Sequence, residues 1–339
     1  MTRTPWITMA LMGLLAAPSR PARAEVTIKL ATLAPTGSAW HDLLRELGQR
    51  WEEASGGQVR LKIYAGGTQG NEGEVIRKVG IGQLQGAALT NIGLHDLVKE
   101  PQAMTTPLLF RDEAEMRCAL ERVRPQMEQA LAAQGLVVVQ WSVIGSLALY
   151  CNGPRRTPAE LAGARIFAAQ GDPGVEEAWR RAGLRPVVLA ATDIMPALQT
   201  GMIDCLNNVP LYALVTRTFV PAPWLIDLPW GFIVGVTVVR RDAWERVPPG
   251  LRPRLLEVAR TLGTRVDDEV RRLNTEAVEV MRRQGLHVVA VDEAAWRPAM
   301  ERSWAALRGG VVPAPFFDEV VAARDVCRSE LQAGRPAAR

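Results

Sequence analysis

Histidine is scarce in this chain, with only His41, His95 and His287 in 339 residues. None belongs to an H-E-x-x-H helix or pairs with a nearby cysteine, so the common zinc-hydrolase patterns are excluded. The four cysteines, Cys118, Cys151, Cys205 and Cys327, are spaced by 33, 54 and 122 residues and fit no local zinc motif. No G-x-S-x-G elbow occurs, since Ile144-Gly145-Ser146 lacks the second glycine. Gly66-Gly67-Thr68-Gln69-Gly70 precedes a helix but has neither a P-loop lysine nor dinucleotide spacing. It reads as a tight turn. Carboxylates fall mostly on charged helix faces such as Asp267-Asp268-Glu269, and nothing marks a glycosidase-like pair. The sequence therefore offers no catalytic set, no metal site and no cofactor site; the expectation is a binding protein, not an enzyme.

Net charge is also missing once the start of the chain is set apart. Arg3 is followed by an uncharged stretch to Ser19, with an apolar core from Ile7 to Ala17, and Ala22-Arg23-Ala24 forms a small-x-small cleavage site. That is the pattern of a secretory signal peptide over residues 1–24, too short for a span of about 20 apolar residues. Cleavage after Ala24 would leave a soluble periplasmic chain beginning at Glu25. Of 40 Lys+Arg, three lie in this leader, which leaves 37 against 36 Asp+Glu. A nucleic-acid partner has no basis in such a balance. The remaining 315 residues suffice for two domains, and no later window reads as a membrane span. In an oxidising compartment one disulfide is possible; four small buried apolar cysteines are the alternative, and spacing does not choose a pairing.

What is present is an alternation of strands and helices. Val26–Thr32 reads as a buried strand, and a helix starts near Ser38 with Leu43, Leu44, Leu47, Trp51 and Ala54 on one face. Val59–Tyr64, a helix from about Asn71 to Gly80, and a strand from Gln85 to Thr90 complete a β-α-β-α-β run. Such a run predicts a largely parallel sheet with helices on both faces and ligands beyond the strands' carboxyl ends. The candidate loops are Leu33–Trp40 and Thr90–Leu94. A second α/β unit follows Leu136, with the crossing placed at Ile144-Gly145-Ser146 and a return near Val234–Val239. Domain I is thus expected over 25–143 plus about 235–270. Domain II is expected over 144–234 plus about 271–332 with C-terminal helices, and 333–339 as a frayed tail. Leu255, Ala259, Leu262, Val266, Val270, Leu273, Ala277 and Val280 repeat every three or four residues. They predict a helix of roughly 45 Å, long enough to bridge both domains.

Several short stretches, in this order and spacing, resemble the solute receptors of tripartite ATP-independent periplasmic (TRAP) transporters over most of the chain. They are Leu30-Ala31-Thr32 before Pro35, Tyr64 with Gly66-Gly67, Gly82-Gln83-Leu84-Gln85-Gly86-Ala87, and Pro107-Leu108-Leu109-Phe110. Arg156-Thr157-Pro158-Ala159-Glu160-Leu161-Ala162-Gly163 is the most specific, followed by Ala197-Leu198-Gln199-Thr200-Gly201-Met202-Ile203-Asp204 and Ala243-Trp244 with Val247-Pro248. The resemblance implies an α/β, two-domain periplasmic-binding-protein fold with hinge strands and a long domain-bridging helix. It also implies closure on a ligand and delivery to membrane transporter subunits.

The typical member of that family holds an organic acid through an arginine that ends the strand after the Leu-x-Gly turn. Phe167 stands at that position here, and Ile203–Pro210 carries an extra residue. A phenyl ring cannot replace a bidentate guanidinium–carboxylate pair, and offers roughly 2 kcal/mol of apolar burial instead. The expectation is therefore a small apolar or lipid-like ligand. The alternatives are an organic acid anchored by Arg165, two residues earlier, or a lipid-shuttling role with another periplasmic carrier in place of TRAP subunits. The candidate ligand-binding residues are Trp40, His41, Thr90, Asn91, Trp141, Phe167, Gln170, Asn208, Pro210 and Trp230. No cofactor is expected, and the chain is expected to act as a monomer.

Overall fold

A computed structural model describes residues 25–170 and 173–334, with the side chains of 173–175 and 178 also left aside. The expected signal peptide, its cleavage after Ala24, and most of the expected tail lie outside the described residues. Eleven strands are described: β1 (Val26–Thr32), β2 (Val59–Tyr64), β3 (Gly86–Thr90), β4 (Leu136–Ser146), β5 (Ala148–Cys151) and β6 (Arg165–Ala169). β7 (Arg185–Leu189), β8 (Cys205–Asn208), β9 (Trp224–Asp227), β10 (Phe232–Arg240) and β11 (His287–Ala290) follow. The helices are α1 (Ala39–Ser55), α2 (Glu72–Gly80), α3 (Glu113–Ala133), α4 (Pro158–Ala162), α5 (Pro173–Arg181) and α6 (Ile194–Gln199). They continue with α7 (Pro210–Thr216), α8 (Arg241–Glu245), α9 (Arg252–Arg283), α10 (Glu293–Gly310) and α11 (Ala314–Ala333).

The strands form two sheets, one per lobe. The first has the order β2-β1-β3-β10-β4 and the second β11-β9-β5-β8-β6-β7. β1 lies parallel to β2 and β3, as the β-α-β pattern requires, but β10 is antiparallel to both β3 and β4. Four of its five strands therefore run in one sense, as the expected largely parallel sheet requires, and β10 alone enters in the opposite sense because it returns from the second lobe. Ile144-Gly145-Ser146 belongs to β4 and is not a break between strands. Phe232 and Ile233 pair with Ser146 and Gly145, so the ladder continues across the expected turn, with a register shift between Ile233 and Val234.

Local signals position these elements well. Ser38 caps α1 by accepting from the His41 N–H, and Gly56 ends that helix with φ 60°, a left-handed conformation that suits glycine. Asn71 and Glu74 form a reciprocal capping box at the start of α2. Leu43, Leu47 and Trp51 of α1 pack with Leu255, Ala259 and Leu262 of α9, and the Trp51 indole donates to the Leu255 carbonyl at 2.9 Å.

α9 is a single helix of 32 residues whose stripe serves two cores. Leu255, Ala259, Leu262, Val266 and Val270 belong to the first lobe, whereas Ala277 and Met281 pack with Tyr150, Phe167 and Leu225 in the second. Within the first stretch sits buried Asp267, which accepts from the Val143 N–H of β4 at 3.0 Å and from Arg117 of α3 at 2.7 Å. The C-terminal α11 runs back along α3. No helix among the described residues is long and apolar enough to cross a membrane.

Both cysteine pairs are joined. Cys151 and Cys205 face each other in the β5–β8 register, and Cys118 on α3 meets Cys327 on α11. Sequence spacing hid both pairs because each depends on tertiary neighbours 54 and 209 residues apart. Chain-entropy arguments make the longer closure the more stabilising. Replacing Cys118 and Cys327 by alanine should destabilise the protein by roughly 1 kcal/mol more than replacing Cys151 and Cys205. Denaturant unfolding of both double variants checks this, and equal losses would contradict it.

Candidate functional site

The carboxyl ends of β1 and β3 open on a cleft between the lobes. Its inner part encloses about 140 Å³ and is walled by Leu33, Trp40, Leu44, Leu89, Ile144 and Val236, with Tyr212 of the second lobe across from them. A second part lies against Phe167, Trp179, Leu147, Ile92, Ile233 and Asn207. A wider mouth joins them through shared residues, Leu33 and Glu72 on one side and Ile92 and Ala169 on the other. Arg77, His95, Asp96, Glu74 and Gln170 line this mouth.

The walls are apolar for a reason visible in the strands. Residues on one face of a strand alternate with those on the other, so Gln140, Ser142 and Ile144 of β4 reach the inner cleft while Trp141 does not. Trp141 turns to the far face of the sheet, where its indole donates to Glu128 of α3 at 3.2 Å. The same alternation on β8 places Asn207 on the cleft wall. Asn208 instead accepts from the N–H of Val209 at 2.8 Å.

The other expected site residues divide as follows. Trp40 and Thr90 line the inner cleft, Phe167 the second part, and Gln170 the mouth. Asn91 is fully buried just behind them, with its side-chain oxygen accepting from the Val234 N–H. Trp230 is a core residue that meets Trp179 edge to face at 5.9 Å, one layer behind the wall. His41 stays at the start of α1, where Nδ1 accepts from the Gly37 N–H at 3.1 Å. Pro210 opens α7, and it is Tyr212, two residues on, that faces the cleft. Arg165 is not among the lining residues: its guanidinium forks onto Asp204 at 2.9 and 2.8 Å. That pairing, with a further bond from the Arg165 N–H, holds the Asp204 carboxyl down at about 2. Asp204 thus takes the Nε/Nη2 edge of the guanidinium and holds the side chain away from the lining of the cleft.

Glu72, Gln140, Ser142 and Tyr212 are cleft residues that pattern reading missed. Glu72 could have been suspected, since it begins the helix after the glycine-rich turn. Its two carboxylate oxygens accept from the Thr90 N–H and the Thr90 hydroxyl, each at 2.7 Å. The side chain also occupies the space where a Cβ at Gly93 would stand, with its own Cβ only 2.5 Å from that point. Only glycine fits opposite it. Burial of the carboxylate raises its pKa to about 7 even though the bonds from Thr90 and Gly93 act to lower it.

Unspent hydrogen-bonding groups converge on the same region. Trp40 Nε1, Gln140 Oε1 and Asn91 Nδ2 are buried with no partner among the described residues. Groups of this kind ordinarily find one. Trp40 and Gln140 line the inner part and bring one donor and one acceptor to its apolar wall, while Asn91 lies behind it. Among the described lining residues the inner part carries one charged group, Glu72, and the Phe167 part none.

Two lobes around such a cleft define a solute-binding fold, and solved structures agree. The chain superposes on a TRAP periplasmic solute-binding protein from Xanthobacter autotrophicus with bound β-D-galacturonate, with TM-score 0.81, 17% identity, and 88% of this chain and 99% of that one covered. A TRAP solute-binding protein from Desulfovibrio salexigens with bound orotic acid gives TM-score 0.82, 16% identity, and coverage of 91% and 100%. The profile of bacterial extracellular solute-binding protein family 7 matches residues 30–308, and the chain belongs to that family. Among its relatives, the sialic acid-binding periplasmic protein SiaP of Vibrio cholerae is 20% identical over 87% of this chain and 92% of its own. The 2,3-diketo-L-gulonate-binding periplasmic protein YiaO of Escherichia coli is 21% identical over 84% and 88%. The match to the uncharacterized protein YiiZ of Salmonella typhimurium, 24% identical, spans 62% of that protein's length.

Glu72 makes the protein's stability depend on pH in a defined direction. Its folded pKa of about 7 lies above the ordinary carboxyl value of 4.5, so between these values the native state holds a proton that the unfolded state has lost. Stability should therefore fall as pH rises from about 4.5 through 7. The total is on the order of 1–3 kcal/mol. Glu72→Gln should flatten that part of the curve, and a melting series at several pH values reads it directly. A variant with the same slope as the wild type would show that Glu72 is already ionised in the folded protein.

Proposed function

We propose that this chain is the periplasmic receptor of a TRAP transport system, capturing a small organic solute between its lobes and handing it to membrane subunits without chemical change. The observation that carries the reading is the cleft itself: apolar walls from both lobes, with the unpartnered Trp40 donor and Gln140 acceptor, at the carboxyl ends of β1 and β3. The lobes would pivot about β4, β10 and α9, with the first lobe built on residues 25–146 together with β10 and the second on the remaining strands. Export by cleavage after Ala24 and action as a monomer belong to the same proposal.

For the ligand, an organic acid is the reading with most support. The relatives and neighbours described above are named for, or were solved with, galacturonate, orotic acid, sialic acid or 2,3-diketo-L-gulonate. Lipid-like cargo has no counterpart among them. Arg165 is a poor anchor, because it lines none of the three parts of the cleft and its Nε/Nη2 edge is paired with Asp204. A carboxylate would instead meet the neutral N–H donor of Trp40, with Arg77 the guanidinium on the mouth. A weakly polar, uncharged solute is the second reading. It is favoured by Phe167 on the wall and by the absence of any cation among the described residues of the two inner parts.

Calorimetry with D-glucuronate, D-galacturonate and orotate on one side, and indole and medium-chain alcohols on the other, separates the two. Under the acid reading at least one acid binds, and Arg77→Ala weakens it about tenfold or more. Under the second reading the acids fail, Phe167→Ala weakens an uncharged ligand by about 2–3 kcal/mol, and Phe167→Arg abolishes its binding. A protein that binds neither group and carries no co-purified small molecule under native mass spectrometry would not be a receptor of this kind.

A further inference from the structure

Helix α7 starts with an unusual difficulty. Its first residue, Pro210, has no N–H, and the residue before it is Val209, whose side chain cannot accept a hydrogen bond. The next N–H, that of Leu211, is nonetheless satisfied: it donates to Asn274 Oδ1 at 2.9 Å, from a residue 63 positions away on α9. The other half of the same amide donates from Nδ2 to the carbonyl of Ile144 on β4 at 3.0 Å. One side chain therefore closes an N-terminus in the second lobe and a strand end in the first.

Three further observations place this amide at the pivot. Asn274 lies between Val270, which packs in the first lobe, and Ala277, which packs in the second, so it sits where α9 passes from one core to the other. Gly145, the next residue of β4, has φ 144°, and a Cβ there would come within 2.7 Å of Asn274 Nδ2. The crossing strand thus lacks a side chain where the amide needs room. Tyr212, adjacent to the capped Leu211, forms the second-lobe wall of the inner cleft, opposite Trp40 and Leu44.

We infer that Asn274 is the hinge pin of the receptor, a positioning residue whose two hydrogen bonds fix the angle between the lobes and so hold Tyr212 over the cleft. The bond to Leu211 orients α7, and the bond to Ile144 ties that orientation to the crossing strand. Losing the first frees the helix start. Losing the second lets the lobes swing. The consequence for ligand binding rests on the reading of the cleft given above, but the tie itself is tested without ligand.

All four cysteines are in disulfides, so spin labels can be attached at Ile81→Cys in the first lobe and Met202→Cys in the second, both strongly exposed. Interlobe distance distributions from double electron–electron resonance are then compared with amide hydrogen exchange at Leu211. Asn274→Leu should speed Leu211 exchange about tenfold and widen the distance distribution. Asn274→Asp keeps the acceptor but opposes the Ile144 carbonyl, so it should widen the distribution while Leu211 stays protected. Val209→Thr in the Asn274→Leu background supplies a cap from within the helix and should restore Leu211 protection without narrowing the distribution. If it restores both, Asn274 is only a helix cap and the hinge proposal is overturned. It is equally overturned if Asn274→Leu or Asn274→Asp leaves the distribution as in the wild type. Should Asn274→Leu fail to fold, Asn274→Asp and Gly145→Ala carry the test, since each must widen the distribution.

Discussion

The geometry of this molecule depends on the burial of one helix in two places. A stripe of residues on α9 is shared between lobes, with Leu255 to Val270 in one core and Ala277 and Met281 in the other. Breaking that helix anywhere would expose apolar surface on both sides of the break, each buried side chain being worth about 2 kcal/mol. The lobes are therefore held at a common strut and can differ in angle only where the polar contacts of the strut allow it. Asp267 and Asn274 supply those contacts, one to the N–H of Val143 and the other to the carbonyl of Ile144. The crossing strand is gripped on both sides of a single peptide unit.

The cleft follows from this frame. Because β10 returns antiparallel between β3 and β4, its start and the end of β4 lie at the same edge as the ends of β1 and β3. Side chains from four strands then share one opening. Apolar groups dominate because the same strands continue into the core, and the polar groups that do reach the opening are few and buried. Glu72 is the exception in charge, and it is held by backbone and hydroxyl donors in place of a cation. A carboxylate in that position favours ligand groups that donate hydrogen bonds.

The absence of a free guanidinium inside the cleft is a matter of partners as much as of composition. Arg165 is present and half-exposed, but Asp204 lies within reach and takes its Nε/Nη2 edge, which turns the side chain away from the cleft lining. Sequence could place an arginine two residues from Phe167; it could not show where that side chain turns.

Much of the fold was legible. The boundaries of β1 and β2, the caps at Ser38 and Asn71, and the continuous stripe of α9 all follow from local periodicity and capping chemistry, which act within a few residues. So does the identity of Trp40, Thr90, Phe167 and Gln170 as residues near strand ends. What tertiary structure alone decided are the relations between distant segments. These include the sense of β10, the two disulfides, the face on which Trp141 and Asn208 fall, the pairing of Arg165, and the arrival of Glu72 and Tyr212 at one cavity. A one-residue change of strand phase sends a side chain to the opposite face, and a hydrogen bond between residues 63 apart leaves no trace in either local pattern. Periodicity therefore determined which elements form and which stripe they bury, whereas the packing of those stripes against one another determined the site.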